Sequence, residues 1–155
     1  MTTTAGDAPP GPAAVGATLP MPWLLRRVNQ RYRAVTAQRL AAAGLGDLPQ
    51  PGVWALMAID RGVGEPNELA GRMGVSKQAV SKLVDRLAAA GFVQRTAVPA
   101  DRRRTGLVLT AKGRKAVRVI GAAVGATEQA MASELGSRHF AQFMSMLAQL
   151  AGGDP

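Results

Sequence analysis

Two groups of side chains within residues 74–110 have types and spacing suited to reading a nucleic acid. The first is Gly74-Val75-Ser76-Lys77-Gln78-Ala79-Val80-Ser81-Lys82, a polar stretch that opens a helical pattern. Gln78 can pair with adenine through two hydrogen bonds, and Lys77 or Lys82 can donate to guanine or to a phosphate. Ser76 and Ser81 add short hydroxyl donors and acceptors beside them. The second group is Asp101-Arg102-Arg103-Arg104. A carboxylate there can hold one guanidinium by a two-pronged bond and leave the other arginines projecting. Arginine suits a narrow minor groove, where the negative potential is strong and a weakly hydrated cation enters readily.

Charge is concentrated around these groups. The chain has 155 residues, 19 of them Lys or Arg and 10 Asp or Glu, for a formal charge of +9. Residues 68–115 hold eleven basic groups against only Glu68, Asp85 and Asp101, so this central third carries nearly the whole excess. Such a field attracts a polyanion, a nucleic acid or an anionic membrane surface, with a merely solvated surface as the bland alternative. Cysteine is absent, which excludes disulfides, thiolate metal sites and cysteine redox switches, and fits a cytoplasmic protein. No apolar run approaches the length of a membrane span. Residues 1–20, rich in Thr, Ala, Gly and Pro, read as a flexible arm without signal-peptide character.

The elements that must position these groups follow from periodicity. Trp23, Leu24, Leu25, Val28, Tyr32, Val35 and Leu40 recur at helical spacing over about 22–43. A second helix starts near Pro51 and stops near Gly62; a third covers Pro66–Met73. Gly74 suits a left-handed turn and Ser76 an N-cap. The fourth helix runs from Lys77 to about Ala90, with Ala79, Val80, Leu83, Val84 and Leu87 as its buried stripe. Segments 92–98 and 106–110 have strand character around a polar loop, 99–105, and form a hairpin. Thr110 caps a fifth helix, in which Gly121 and Gly125 weaken the helix or permit close packing. A sixth carries Phe140, Phe143, Met144, Leu147 and Leu150.

Ala70, Gly74, Val80 and Leu83 occupy the small, turn and core positions that two helices crossing at a steep angle require. The expected fold is therefore mainly α with a small β-hairpin: a winged helix-turn-helix with long N- and C-terminal dimerisation helices. Its divisions are an N-terminal arm (1–20), an N-terminal dimerisation helix (21–47), the DNA-binding domain (48–109) and C-terminal dimerisation helices (110–155). In such a unit the start of the second helix faces base edges, here Ser76, Lys77, Gln78, Ser81 and Lys82. The alternatives are a structural helical hairpin and a solvated arginine loop.

Glu68-Leu69-Ala70, Met73 through Leu87 and Gly91-Phe92-Val93 resemble the core of the MarR transcription regulators. Asp101-Arg102-Arg103, continuing to Leu109-Thr110-Ala111-Lys112-Gly113, is similar to that family's wing and its exit into the next helix. The resemblance covers residues 68–113. It implies a homodimer with interleaved first and last helices and two recognition helices on a palindromic operator in double-stranded DNA. It also implies that Arg103 is the wing-tip arginine, supported by Asp101. Two departures stand out. Glu65-Pro66 replaces the usual Ser or Thr cap of the motif's first helix, and the lack of cysteine excludes the peroxide sensing of some relatives.

The apolar side of the last helix would leave a large patch on a monomer, which a second copy or the first helix can cover. Trp23, Arg27, Arg31, Tyr32 and Trp54 form a candidate ligand crevice. The resemblance implies a small aromatic or anionic effector there; the simpler reading makes Trp23, Tyr32 and Trp54 core residues. His139, near a helix start, reads as a capping or surface residue rather than a metal ligand. No arrangement supports catalysis, and no cofactor is implied. The expected function is a homodimeric, sequence-specific regulator, a repressor. Its rivals are a winged-helix protein-interaction or scaffold module and a nonspecific nucleoid-associated protein.

Overall fold

The computed structural model describes residues 19–98 and 101–152, with the side chains of Val98 and of residues 101–105 outside the description. Eight elements follow in the order α1 (Met21–Ala42), α2 (Gln50–Asp60), α3 (Pro66–Met73), α4 (Lys77–Ala89), β1 (Val93–Val98), β2 (Asp101–Leu109), α5 (Ala111–Leu135) and α6 (Ser137–Leu150). This is a winged helix-turn-helix between long flanking helices.

Local chemistry sets the boundaries. Pro66 stands at the first turn of α3, where its missing N–H is no loss, and Glu65 enters in extended conformation without a side-chain cap. The helix therefore starts where the sequence reading placed it, despite the absent Ser or Thr. Gly74 ends α3 at φ 63°, a left-handed conformation that a side chain disfavours. Its N–H reaches the Gly71 carbonyl and that of Val75 reaches Ala70. Ser76 then caps α4, its hydroxyl accepting from the Ala79 N–H at 3.2 Å.

The core lies where α2, α3, α4, the hairpin and the first half of α5 meet. Leu56, Leu69, Val80, Val84, Leu87, Phe92 and Ile120 are fully buried there. Gly52 lets α2 approach α4 closely, since a Cβ would lie 2.8 Å from a Leu87 methyl. One member of the expected stripe differs: Ala79 is exposed, because the first turn of α4 projects beyond the core.

β1 and β2 pair antiparallel from Val93↔Leu109 to Ala97↔Thr105, with an irregularity before Val98↔Asp101. The second strand is longer than its composition suggested. Asp101 to Thr105 read as loop, yet their backbone continues the ladder that the apolar Leu107–Leu109 end anchors. Leu107 also donates to the Gly64 carbonyl at 2.7 Å, tying the hairpin to the α2–α3 connection.

The flanking helices are far less covered. No residue of α6 is buried, and Leu150 is 77% exposed. At the other end of the chain Trp23 is 59% exposed, with Leu24 and Leu25 also exposed. Gly121 and Gly125 have open space where a Cβ would stand, so neither accommodates a close neighbour among the described residues.

Candidate nucleic-acid interface

The N-terminal half of α4 stands clear of the core on one side. Val80, Leu83, Val84 and Leu87 hold the opposite side down, while Ser76, Lys77, Gln78, Ser81 and Lys82 are all exposed. Ser76 spends one lone pair on the cap and keeps its O–H. Ala79 and the half-exposed Val75 extend this surface with apolar groups. A methyl of that kind can meet the thymine methyl in a major groove. The sequence reading missed both, since an alanine adjoining a buried stripe looks like part of it.

The basic field divides into used and free cations. Arg95 donates to Asp85 at 2.6 Å, joining β1 to α4. Arg72 makes a long contact to Glu68 one turn away. Lys112 binds Asp47 at 2.6 Å and Lys115 the Ala43 carbonyl at 2.8 Å. Among the described residues, Lys77, Lys82 and Arg86 have no ion-pair partner. Positive charge open to a polyanion therefore lies along the exposed side of α4, beside its polar first turns. The side chains of Asp101, Arg102, Arg103 and Arg104, and the pairing expected among them, lie outside the described residues. Their backbone runs along β2.

Three residues fix the start of α5 to the base of the hairpin and the end of α4. Thr110 caps α5 by accepting from Gly113 N–H at 3.1 Å, and its hydroxyl lies 2.6 Å from the Gly91 carbonyl. Gly113 packs so tightly that a Cβ would lie 2.1 Å from the Phe92 carbonyl oxygen. Lys112 donates to the Ala90 carbonyl at 2.9 Å, with its ammonium 4.3 Å from the centroid of the Phe92 ring. The Leu109–Gly113 segment is thus a mechanical joint.

A separate cleft of about 680 Å³ opens between α1, α2 and α5. Its walls include Leu25, Val28, Val53, Met57, Ile120 and Val124, with Asn29, Tyr32, Arg33, Gln50, Arg61 and Glu128 as polar groups. Burial, and then the nearby Glu128 carboxylate, push the Tyr32 hydroxyl above its ordinary pKa. Of the expected crevice residues, Tyr32 and Trp54 line it. Trp23, Arg27 and Arg31 do not. Arg31 instead grips Glu134 of α5 with both terminal nitrogens, at 3.0 and 2.5 Å. That contact raises the Arg31 pKa and holds the Glu134 carboxyl below its usual range. The core reading fails for two of the aromatics, because Trp23 and Trp54 are mostly exposed. The cations that do reach the cleft, Arg33 and Arg61, were not singled out; nothing in their spacing marks them.

His139 is exposed, with Nδ1 3.2 Å from the Leu135 carbonyl at the end of α5. Among the described residues no cluster of His, Asp or Glu has metal-binding geometry, and no helix is long and apolar enough to cross a membrane.

Residues 47–104 match the model of the MarR family. A transcriptional regulator of Thermotoga maritima is similar at 28% identity, over 84% of this chain and 91% of its own, with a TM-score of 0.57. A MarR family protein of Mycobacterium tuberculosis in complex with salicylic acid is also 28% identical, over 86% and 98% of the two chains, at 0.64. The transcriptional repressor CouR, bound to a 23-mer DNA duplex, is 26% identical over 84% and 92%, at 0.68. No curated protein sequence matches. Residues 47–104, which hold the helix-turn-helix and most of the hairpin, thus match the MarR family, and they sit in a fold shared along most of its length with solved transcriptional regulators.

Proposed function

We propose that the chain is a homodimeric, sequence-specific DNA-binding regulator, a repressor acting at a palindromic operator and not an enzyme. One observation carries this reading. The start of α4 presents Lys77, Gln78, Ser81 and Lys82 to solvent with no ion-pair partner for either lysine among the described residues, while Asp85–Arg95 holds the adjoining hairpin to the same helix. The likeness to a repressor bound to duplex DNA supports it. In this reading Gln78, Ser76 and Ser81 select bases, Lys77 and Lys82 meet bases or phosphates, and Arg102, Arg103 and Arg104 enter the flanking minor groove. Asp101 orients that wing.

Residues 48–109 act as the DNA-binding unit, with 21–47 and 110–155 as dimerisation helices. The uncovered apolar residues of α1 and α6 support that assignment. The α1–α2–α5 cleft receives a small aromatic or anionic effector that releases the DNA. Its apolar walls with Arg33, Arg61 and Tyr32 support this, as does the salicylic acid complex of the similar protein. The purified protein, titrated with an enriched duplex and with random duplex at several salt concentrations, tests the reading. Affinity should fall steeply with salt, by about 0.9 in log–log slope per phosphate contact. The enriched duplex should be preferred throughout. Equal affinity for both duplexes would leave a nonspecific coating protein; binding to neither would leave a protein-interaction module.

A further inference from the structure

Lys112 joins the start of α5 to the α1–α2 connection, the end of α4 and the residue that leads into the hairpin. It belongs to the first turn of α5. Its ammonium binds the Asp47 carboxylate at 2.6 Å, in the α1–α2 connection. It also donates to the Ala90 carbonyl at 2.9 Å, just past the last turn of α4, and lies 4.3 Å from the centroid of the buried Phe92 ring. A cation is well placed at a helix C-terminus, where the unpaired carbonyls concentrate negative charge. Lys115, one turn further on, binds the Ala43 carbonyl at 2.8 Å and braces the same connection.

Together with the apolar core and the Thr110 bonds to the Gly91 and Phe92 carbonyls, these contacts link the end of α4 to the α1–α2 connection and to α5. If two copies join through their flanking helices, a change in that orientation moves the two α4 helices relative to each other. We infer that Lys112, held by Asp47, is a positioning residue that sets the separation and angle of the paired recognition helices, and so the operator spacing the dimer accepts. This rests on the proposed function, and it assigns Lys112 no contact with DNA.

The test uses the full chain and a duplex enriched by the wild type from a random library, together with duplexes in which one base pair is added or removed between the half-sites. Lys112→Met keeps a side chain of similar length and removes the ammonium that stands over Phe92. Asp47→Asn removes the other partner at an exposed site. The expected result is that the wild type discriminates strongly among spacings, while each variant loses roughly tenfold of that discrimination. The double variant should lose no more than either single one, the sign of a shared interaction. Lys112→Arg, which can still reach both oxygens, should restore part of it. A purely structural role would lower thermal stability and affinity for every spacing equally. That outcome, or unchanged spacing preference in variants that fold and bind, overturns the inference. Failure of the wild type to enrich any duplex overturns the DNA-binding reading and the inference with it.

Discussion

At the scale of single residues, the proposed function gives the side chains at the start of α4 separable jobs. Gln78 is exposed and can offer a donor and an acceptor to one base edge, so its loss should act on selectivity. Gln78→Ala is expected to reduce the preference for an enriched over a random duplex by about 1–3 kcal/mol, measured by paired titrations. Arg103→Ala should weaken both duplexes alike and lower the salt slope by about 1, as for a phosphate-directed cation. Unaltered affinity in Arg103→Ala would remove that residue from the wing. Within the cleft, Trp54 is 67% exposed and gives a direct probe. In a Trp23→Phe background, salicylate should quench the remaining tryptophan emission, and Arg33→Ala should weaken the effect. No spectral change at millimolar salicylate would speak against that ligand class.

At the scale of elements, the joint between hairpin and α5 depends on a close approach. Gly113→Ala would drive a methyl into the Phe92 carbonyl, and should cost about 1–3 kcal/mol or more, read from denaturant unfolding. Thr110→Val should remove the α5 cap and the bonds to the Gly91 and Phe92 carbonyls, with a loss of about 1 kcal/mol. The ion pairs bracing α1, the α1–α2 connection and α5 give a pH signature. Lys112 lowers the Asp47 pKa and Arg31 that of Glu134, each chiefly through its hydrogen bond. Carboxyls with depressed pKa contribute stability that is present above their unfolded values and lost as pH falls through the folded ones. The Tm difference between wild type and Glu134→Gln should therefore be present at neutral pH and vanish in acid; a difference that persisted in acid would contradict the ion-pair account. The element order was legible because Gly74, Ser76, Gly91 and Thr110 punctuate the apolar periodicity. The extent of β2 was not, since Asp101 to Thr105 have loop-like side chains and are paired only through register set further along. The cleft was half legible: Tyr32 and Trp54 line it, but Arg33 and Arg61 come to it only through the crossing of α1 and α2. Lys112 could not be read as a hub, since Asp47 and Ala90 are far from it in sequence.

At the scale of the whole molecule, the partition of charge and apolar surface points to one assembly. Lys77, Lys82 and Arg86 stand exposed on α4, while uncovered apolar residues lie on α1 and α6, so association through the latter leaves the former open. Phe143 and Leu150 belong to that surface. Replacing Leu150 with Glu should shift the sedimentation profile from dimer toward monomer and weaken operator binding, while leaving the fold of the helix-turn-helix intact. Two-fold association would impose two-fold symmetry on the target, with half-sites about one helical turn apart, roughly 34 Å. Enrichment of a random duplex library by the wild-type protein at moderate salt tests this most directly. The recovered sequences should converge on an inverted repeat whose half-sites are separated by about one turn. Recovery of sequences with no shared repeat, or of none at all, would contradict it.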